Sequence, residues 1–269
     1  MLGVSIRMEV IKRGDSEQHI YYVKGDDRIP QIKGKDGKLE DRPLPSCSSI
    51  SRFADSSGAD GLMGWAVKLY RQTGNPQEFK QAGKQAQQIG IAFHESIHEY
   101  ISTGEQPVDA SPLYGAWYSN MMENGVHLDS AEYMVYHPDL LYAGTLDAIG
   151  TVDGVPTLFD WKTTDEYRYP TDKNGNPVLN KTGKPKQEKK TFRSPTYAAQ
   201  IGGYSLAYRK MRGLLPGGYQ AYIVYTFKDT GNVLWEKVNI PQAELAFETC
   251  AHLYGATRKK AGEEGGLYV

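Results

Sequence analysis

The sequence predicts an α/β fold, a mixed β-sheet flanked by helices. Three observations carry this expectation. Residues 131–163 alternate like strands around an Asp153-Gly154 pair, the strongest short hairpin signal. Helical spacing precedes this block, at Ala92, Phe93, Ile97, Tyr100 and Ile101, and follows it at 195–212 and 241–261. A further strand pair, 219–227 and 232–239, flanks Asp229-Thr-Gly231.

The remaining elements read in order. Residues 6–12 and 19–24 form a hairpin around Gly14-Asp15-Ser16, and residues 25–46 are a Gly-, Pro-, Lys- and Asp-rich loop. A helical region runs from Ser48 to about Asn124, its first segment holding Trp65, Val67, Leu69 and Tyr70. In a third segment Pro112 fits the first helical turn with Ser111 as its cap. Residues 166–193 form a polar loop or flexible hairpin inserted after the last strand of the central block. With no repeat or linker, residues 1–269 read as one domain with an N-terminal hairpin (1–45) and a basic insertion (166–193).

Composition narrows the function classes. Of 269 residues, 39% are hydrophobic and 23% charged, enough apolar material for a core. Cys47 and Cys250 are the only cysteines, which excludes a four-cysteine iron–sulfur site and a disulfide framework. They read as buried small hydrophobes. No apolar run spans a membrane and no secretory signal opens the chain, so a soluble cytoplasmic protein is expected. The net charge of −1 conceals an asymmetry. Residues 168–193 hold eight cations against Asp172 and Glu188, a net of +6, and the remainder carries −7.

The chemistry concentrates in Asp147, Asp160 and Lys162. If Asp153-Gly154 is a two-residue turn, Val152 pairs with Val155 and Asp147 stands opposite Asp160. Lys162 then emerges on the same face. Opposed like charges destabilise a sheet, and a divalent cation between them turns repulsion into ligation. Oxygen ligands suit Mg²⁺ or Mn²⁺. Leu158, Phe159 and Trp161 surround Asp160, so its strand reads as buried, and a buried acid needs a partner. The competing reading is a solvated polar hairpin. Gln200 and Tyr204 share a helix face at i, i+4. His94-Glu95-x-x-His98 matches the short zinc-protease pattern, but no patterned third ligand follows. The protease reading also leaves the two aspartates and the lysine unexplained.

Together, Gly144-Thr-Leu-Asp147, Asp160-Trp-Lys162-Thr163 and Gln200-x-x-x-Tyr204 resemble the PD-(D/E)XK nuclease superfamily in its RecB-like exonuclease branch. Gly90-x-x-x-His94, Pro45-Ser46 with Ser48, Ser49 and Ile50, and Glu132-Tyr-Met-Val-Tyr-His-Pro extend the resemblance over residues 20–239. The family often has Glu where His98 stands, and Leu146 replaces the proline of its name, as is usual in this branch.

The resemblance implies a restriction-endonuclease-like core and a metal-dependent DNA exonuclease that leaves 5′-phosphates, in phage or bacterial recombination, repair or DNA degradation. It implies Mg²⁺ or Mn²⁺ bound by Asp147, Asp160, His94, Glu132 and the Trp161 carbonyl, with no iron–sulfur cluster. Lys162 activates water and offsets phosphate charge, and Gln200 and Tyr204 position Lys162 or the nucleic-acid backbone. The partner is DNA, single-stranded or with a free end. Lys181, Lys184, Lys186, Lys189, Lys190 and Arg193 of the insertion are expected to guide the strand, with Tyr167, Tyr169 and Phe192 stacking on bases. Alternatives are an endonuclease of the same superfamily and a non-catalytic DNA-binding module.

Overall fold

Three successive antiparallel strands make one side of the main sheet: β5 (Val126–His137), β6 (Tyr142–Val152) and β7 (Val155–Thr164). The computed structural model describes residues 9–13, 20–55, 66–67, 69–70, 73–75, 77–172, 174, 176–214 and 217–258. The turn residues Gly14, Asp15 and Ser16 and the side chain of Trp65 lie outside them. Before the central strands come β1 (Glu9–Arg13) and β2 (Ile20–Lys24), which form an antiparallel pair, and the short hairpin β3 (Ile32–Lys33) with β4 (Leu39–Glu40). Among the described residues, α1 (Cys47–Ser51), α2 (Glu78–Thr103) and α3 (Tyr114–Glu123) follow.

After β7 come β8 (Tyr167–Arg168), β9 (Glu188–Lys189), α4 (Pro195–Arg212), β10 (Gln220–Phe227), β11 (Val233–Lys237) and α5 (Ile240–Arg258). The five-stranded sheet has the order β11-β10-β7-β6-β5. Helix α4 carries the chain from β7 to β10, which pairs parallel to β7, and β11 returns antiparallel. The sheet is therefore mixed and flanked by helices, as the sequence predicts. Among the described residues, no helix is long and apolar enough to cross a membrane.

Local chemistry explains the boundaries. Asp153 and Gly154 both take positive φ, 51° and 76°, which a primed two-residue turn requires. Ser194 caps α4 by accepting the Tyr197 N–H, and Pro195 occupies the first turn. Gly104 and Gly213 end α2 and α4 in the left-handed region. One boundary shifts here. Helix α3 starts at Tyr114 rather than Pro112, with Leu113 at the cap position. Ser111 still accepts the Leu113 N–H at its Oγ, as a capping serine does, and its backbone N–H donates to Ser96 Oγ on α2, so Ser111 ties two helices together.

The sheet separates two apolar clusters. On one face Leu158, Ile223, Tyr225 and Phe227 pack with α1, α4 and α5 through Ile50, Ile201 and Phe247. On the other, Phe159, Trp161 and Val224 meet Phe93 and Ile97 of α2 and Trp117 and Met121 of α3. A third cluster joins Tyr21, Val23 and Leu44 to Tyr136 and Ala143, which seats β2 against the central strands. Cys47 and Cys250 are free and buried, as expected.

Helix α4 carries adjacent glycines in its middle, a conformational cost that close packing explains. A Cβ on Gly202 would lie 2.0 Å from the Ala243 carbonyl oxygen of α5, and one on Gly203 would meet the Phe247 ring at 2.5 Å. Gly202→Ala is expected to destabilise the fold by about 1–3 kcal/mol through overpacking. Urea titration would show this as a lowered midpoint with an unchanged slope.

Candidate active site

The β6–β7 register follows the expected hairpin from Val152↔Val155 to Ala148↔Phe159, and there the ladder stops. Asp147 and Asp160 lie one step beyond the last pair. The Trp161 N–H instead donates to Asp147 Oδ2 at 2.6 Å, so a side chain takes the place of a ladder carbonyl. The β5–β6 ladder has a gap at the same level. It runs from Ala131↔Ala148 to Tyr133↔Leu146 and omits Glu132 with Asp147. Glu132 has φ 49°, unusual for a non-glycine residue within a strand. Facing changes here too. Tyr142 and Leu146 pack in the first cluster, whereas Ala148, two residues on, packs in the second. This break in alternation lets Glu132 and Asp147 converge.

His94 completes the group from α2. Its Nδ1 lies 3.4 Å from Asp147 Oδ1. His94, Glu132 and Asp147 each offer a ligand atom, and these atoms lie within 4.8 Å of one another. Helix α2 can supply His94 because neighbouring Phe93 and Ile97 anchor it in the second cluster. Asp160 is 1% exposed. Lys162 Nζ stands 2.5 Å from its Oδ2, yet that oxygen receives no aligned hydrogen bond. The ion pair with Lys162 compensates this buried carboxylate, and a carboxylate oxygen has a second lone pair for another partner. Carboxylates with one imidazole form a donor set compatible with Mg²⁺ or Mn²⁺.

The charges are strongly coupled. Burial raises the Asp160 carboxyl pKa to about 6, with Asp147 adding to the rise and Lys162 opposing it. For Asp147 burial pushes upward, but His94, Lys162 and the Trp161 N–H outweigh it and keep the pKa below the usual aspartate value. Burial works against the Lys162 ammonium, but Asp160 and Asp147 hold its pKa above the ordinary lysine value. His94 is likewise raised, because Asp147 overcomes the effect of burial.

A cleft of about 680 Å³ contains these groups between α2, the start of α1, α4 and the sheet. Gln200 and Tyr204 line it, and Gln200 Nε2 donates to Tyr204 OH at 2.7 Å. Gly144 makes this arrangement possible. A Cβ there would sit 2.7 Å from the Tyr204 ring and 2.9 Å from Cys47 Sγ. The glycine of Gly-x-x-Asp thus has a packing reason. The Trp161 side chain turns away into the second cluster. His98 and Glu95 also line the cleft, but among the described residues His98 joins no three-ligand group, and its Nε2 lies 3.5 Å from Ser102 Oγ.

Two contributors escaped sequence reasoning. Tyr197 places its ring 5.0 Å beneath Lys162 Nζ, a cation–π contact one turn before Gln200. Tyr21 reaches the cleft from β2 and shares a 3.0 Å hydrogen bond with Thr145 Oγ1. The first had a signal in its i, i+3 spacing to Gln200. The second depends on a contact 124 residues away in sequence.

The insertion differs from a plain basic loop. Its β8–β9 pair and the bridges Thr171↔Pro177 and Leu179↔Pro185 make it a ladder of short turns. Half of the expected strand-guiding cations have internal partners. Lys186 pairs with Glu188 at 2.7 Å, Lys189 with Glu166 at 2.9 Å and Lys190 with Asp165 at 3.9 Å. Among the described residues, Lys181, Lys184 and Arg193 make no ion pair. Phe192 is no stacking platform, because it packs on Tyr225 and Phe227. Tyr169 Oη accepts the Gln187 Nε2 donor.

The root of the insertion is latched to the β10–β11 turn. Glu166 Oε2 accepts from Thr230 Oγ1 and Asn232 Nδ2, both at 2.8 Å. Asp229 accepts the N–H groups of Glu166 and Tyr167. No family model matches the chain, and no curated protein matches it.

The Lys189, Asn232 and Thr230 bonds lower the Glu166 pKa to about 2. A depressed native pKa stabilises the fold above the unfolded value and loses that contribution as pH falls. Stability supplied by this latch should therefore fall between about pH 4.5 and pH 2. In Glu166→Gln that segment of the acid-unfolding curve should flatten. For the metal group, saturating Mn²⁺ is expected to raise the wild-type melting temperature. At 100 times Kd, linkage gives about 2.7 kcal/mol. Asp147→Asn should abolish the shift in a thermal melt.

Proposed function

We propose that the protein is a Mg²⁺- or Mn²⁺-dependent deoxyribonuclease acting as an exonuclease on DNA with a free end. The observation that carries this reading is the convergence of His94, Glu132 and Asp147 in one cleft with Asp160 and Lys162. The mixed sheet with helices on both faces supports the restriction-endonuclease-like core that the motif resemblance implies.

The phosphodiester is anionic and repels a nucleophile, so catalysis needs positive charge where negative charge develops. His94, Glu132 and Asp147, with Asp160 beside them, would hold a divalent cation, which would supply Lewis acidity toward phosphoryl oxygen and acidify water. Lys162 keeps its proton because the two aspartates favour the ammonium, and it orients water while offsetting phosphate charge. Asp160 and the Tyr197 ring hold that ammonium in place. Gln200, braced on Tyr204, faces the cleft as a contact for the strand backbone. Water oxygen attacks phosphorus, the bond to the 3′-oxygen breaks, and the products are a 5′-phosphate and a 3′-hydroxyl.

End-labelled linear DNA, single- and double-stranded, and a closed circle test the reading in Mg²⁺, Mn²⁺ or EDTA. The expected result is metal-dependent loss of linear DNA with the circle intact. Cutting of the circle would instead establish the endonuclease, and binding without cutting in any metal would establish the binding module. Asp160→Ala and Lys162→Ala should each lower cleavage by at least about 100-fold, the scale of losing one electrostatic stabiliser, with DNA binding retained. Full activity in either variant would overturn the assigned site.

A further inference from the structure

The N-terminal half of α2 extends beyond the core. From Glu78 to Ala92 none of its described side chains is buried, whereas Phe93 and Ile97 are fully enclosed. Beyond Glu78, its first residue, the exposed half carries no negative charge. Residues 79–94 contain no acid, two lysines (Lys80 and Lys84) and four glutamines, and acids resume at Glu95 and Glu99.

One side of this half continues the active-site wall. Gln87, Gly90, Ile91 and His94 line the cleft. At 3.6 residues per turn, Lys80, Lys84, Gln87 and Ile91 all fall within roughly 80° of His94 around the axis. Gly83 and Gly90 fall on that side as well. Neither glycine has a packing reason. A Cβ on Gly83 would meet nothing within 4 Å, and one on Gly90 would meet only Thr163 Oγ1 at 3.5 Å, an ordinary contact. Two glycines inside a helix cost stability and are useful where another backbone must come close. The cleft that this wall enters holds the Asp160–Lys162 ion pair and Asp147.

From these observations we infer that the outer half of α2 is a track for a single DNA strand, which leads its backbone past Lys80 and Lys84 to the acids. This rests on the nuclease reading of the cleft. The rise of 1.5 Å per residue places Lys80 about 21 Å from His94 along the axis. That length spans about four to six nucleotides at the 3.4 Å or greater spacing of a strand. Lysines meet phosphates, the glycines let the backbone approach, and Gln87 reaches base edges or sugars. The exposed apolar Ile91 on this side suits unpaired bases more than a duplex, which presents mainly phosphates outward.

The test uses the full chain, a 20-nucleotide single strand, a dinucleotide and a 20-bp duplex. Binding is measured over a salt series in Ca²⁺ and cleavage in Mn²⁺. Lys80→Gln with Lys84→Gln should weaken 20-mer binding about tenfold and reduce the salt slope by about 1.4, near 0.7 per lost single-strand contact. Dinucleotide hydrolysis, which cannot extend to Lys80, should remain unchanged. Gly83→Leu should raise the melting temperature and yet weaken 20-mer binding, which a purely structural role would not produce. Unchanged affinity and slope in the double variant would overturn the track, as would an effect seen only with duplex. If the wild type cleaves nothing in any metal while the double variant still loses strand binding and slope, the nuclease reading fails and the track stands.

Discussion

Keeping Asp160 charged inside the fold is the constraint around which the rest of the site is arranged. A carboxylate with 1% exposure, beside a second aspartate, loses solvation and meets repulsion. The structure answers with Lys162 at contact distance, and Lys162 in turn rests over Tyr197. Asp147 is balanced separately by His94 and the Trp161 amide. The partners come from three elements: Lys162 and the Trp161 amide from β7, Tyr197 from α4 and His94 from α2. Positioning them is what the mixed sheet and its two helical layers accomplish.

Much of this was legible in the chain. The Asp153-Gly154 turn gave the β6–β7 register for five successive pairs, because a two-residue turn leaves no freedom in how its strands meet. The burial of Asp160 followed from Leu158, Phe159 and Trp161 around it. The ladder's end at the acids did not follow, since strand periodicity assumes unbroken pairing. Glu132 at φ 49° is a local exception that tertiary contacts impose, and no residue preference announces it. Tyr21 was invisible for a different reason, because its partner is 124 positions away.

The insertion shows the limit of charge counting. A net of +6 described residues 168–193 correctly, but it did not reveal that Lys186, Lys189 and Lys190 already face Glu188, Glu166 and Asp165. Acids just outside or within the segment neutralise its root and leave the outer Lys181 and Lys184 to present charge. Composition gives the sum of charges, and pairing decides which remain available to a partner.

The contact between Tyr21 and Thr145 also has a consequence in time. A ribosome releases β2 long before β6, and β6 well before Tyr204 of α4. The cleft therefore has no complete wall until residue 204 has emerged, because its lining spans Tyr21 to Tyr204. Domains in which distant segments meet fold late relative to synthesis. A nascent chain of this protein therefore carries Glu132, Asp147 and Asp160 before the last wall of the cleft that gathers them exists.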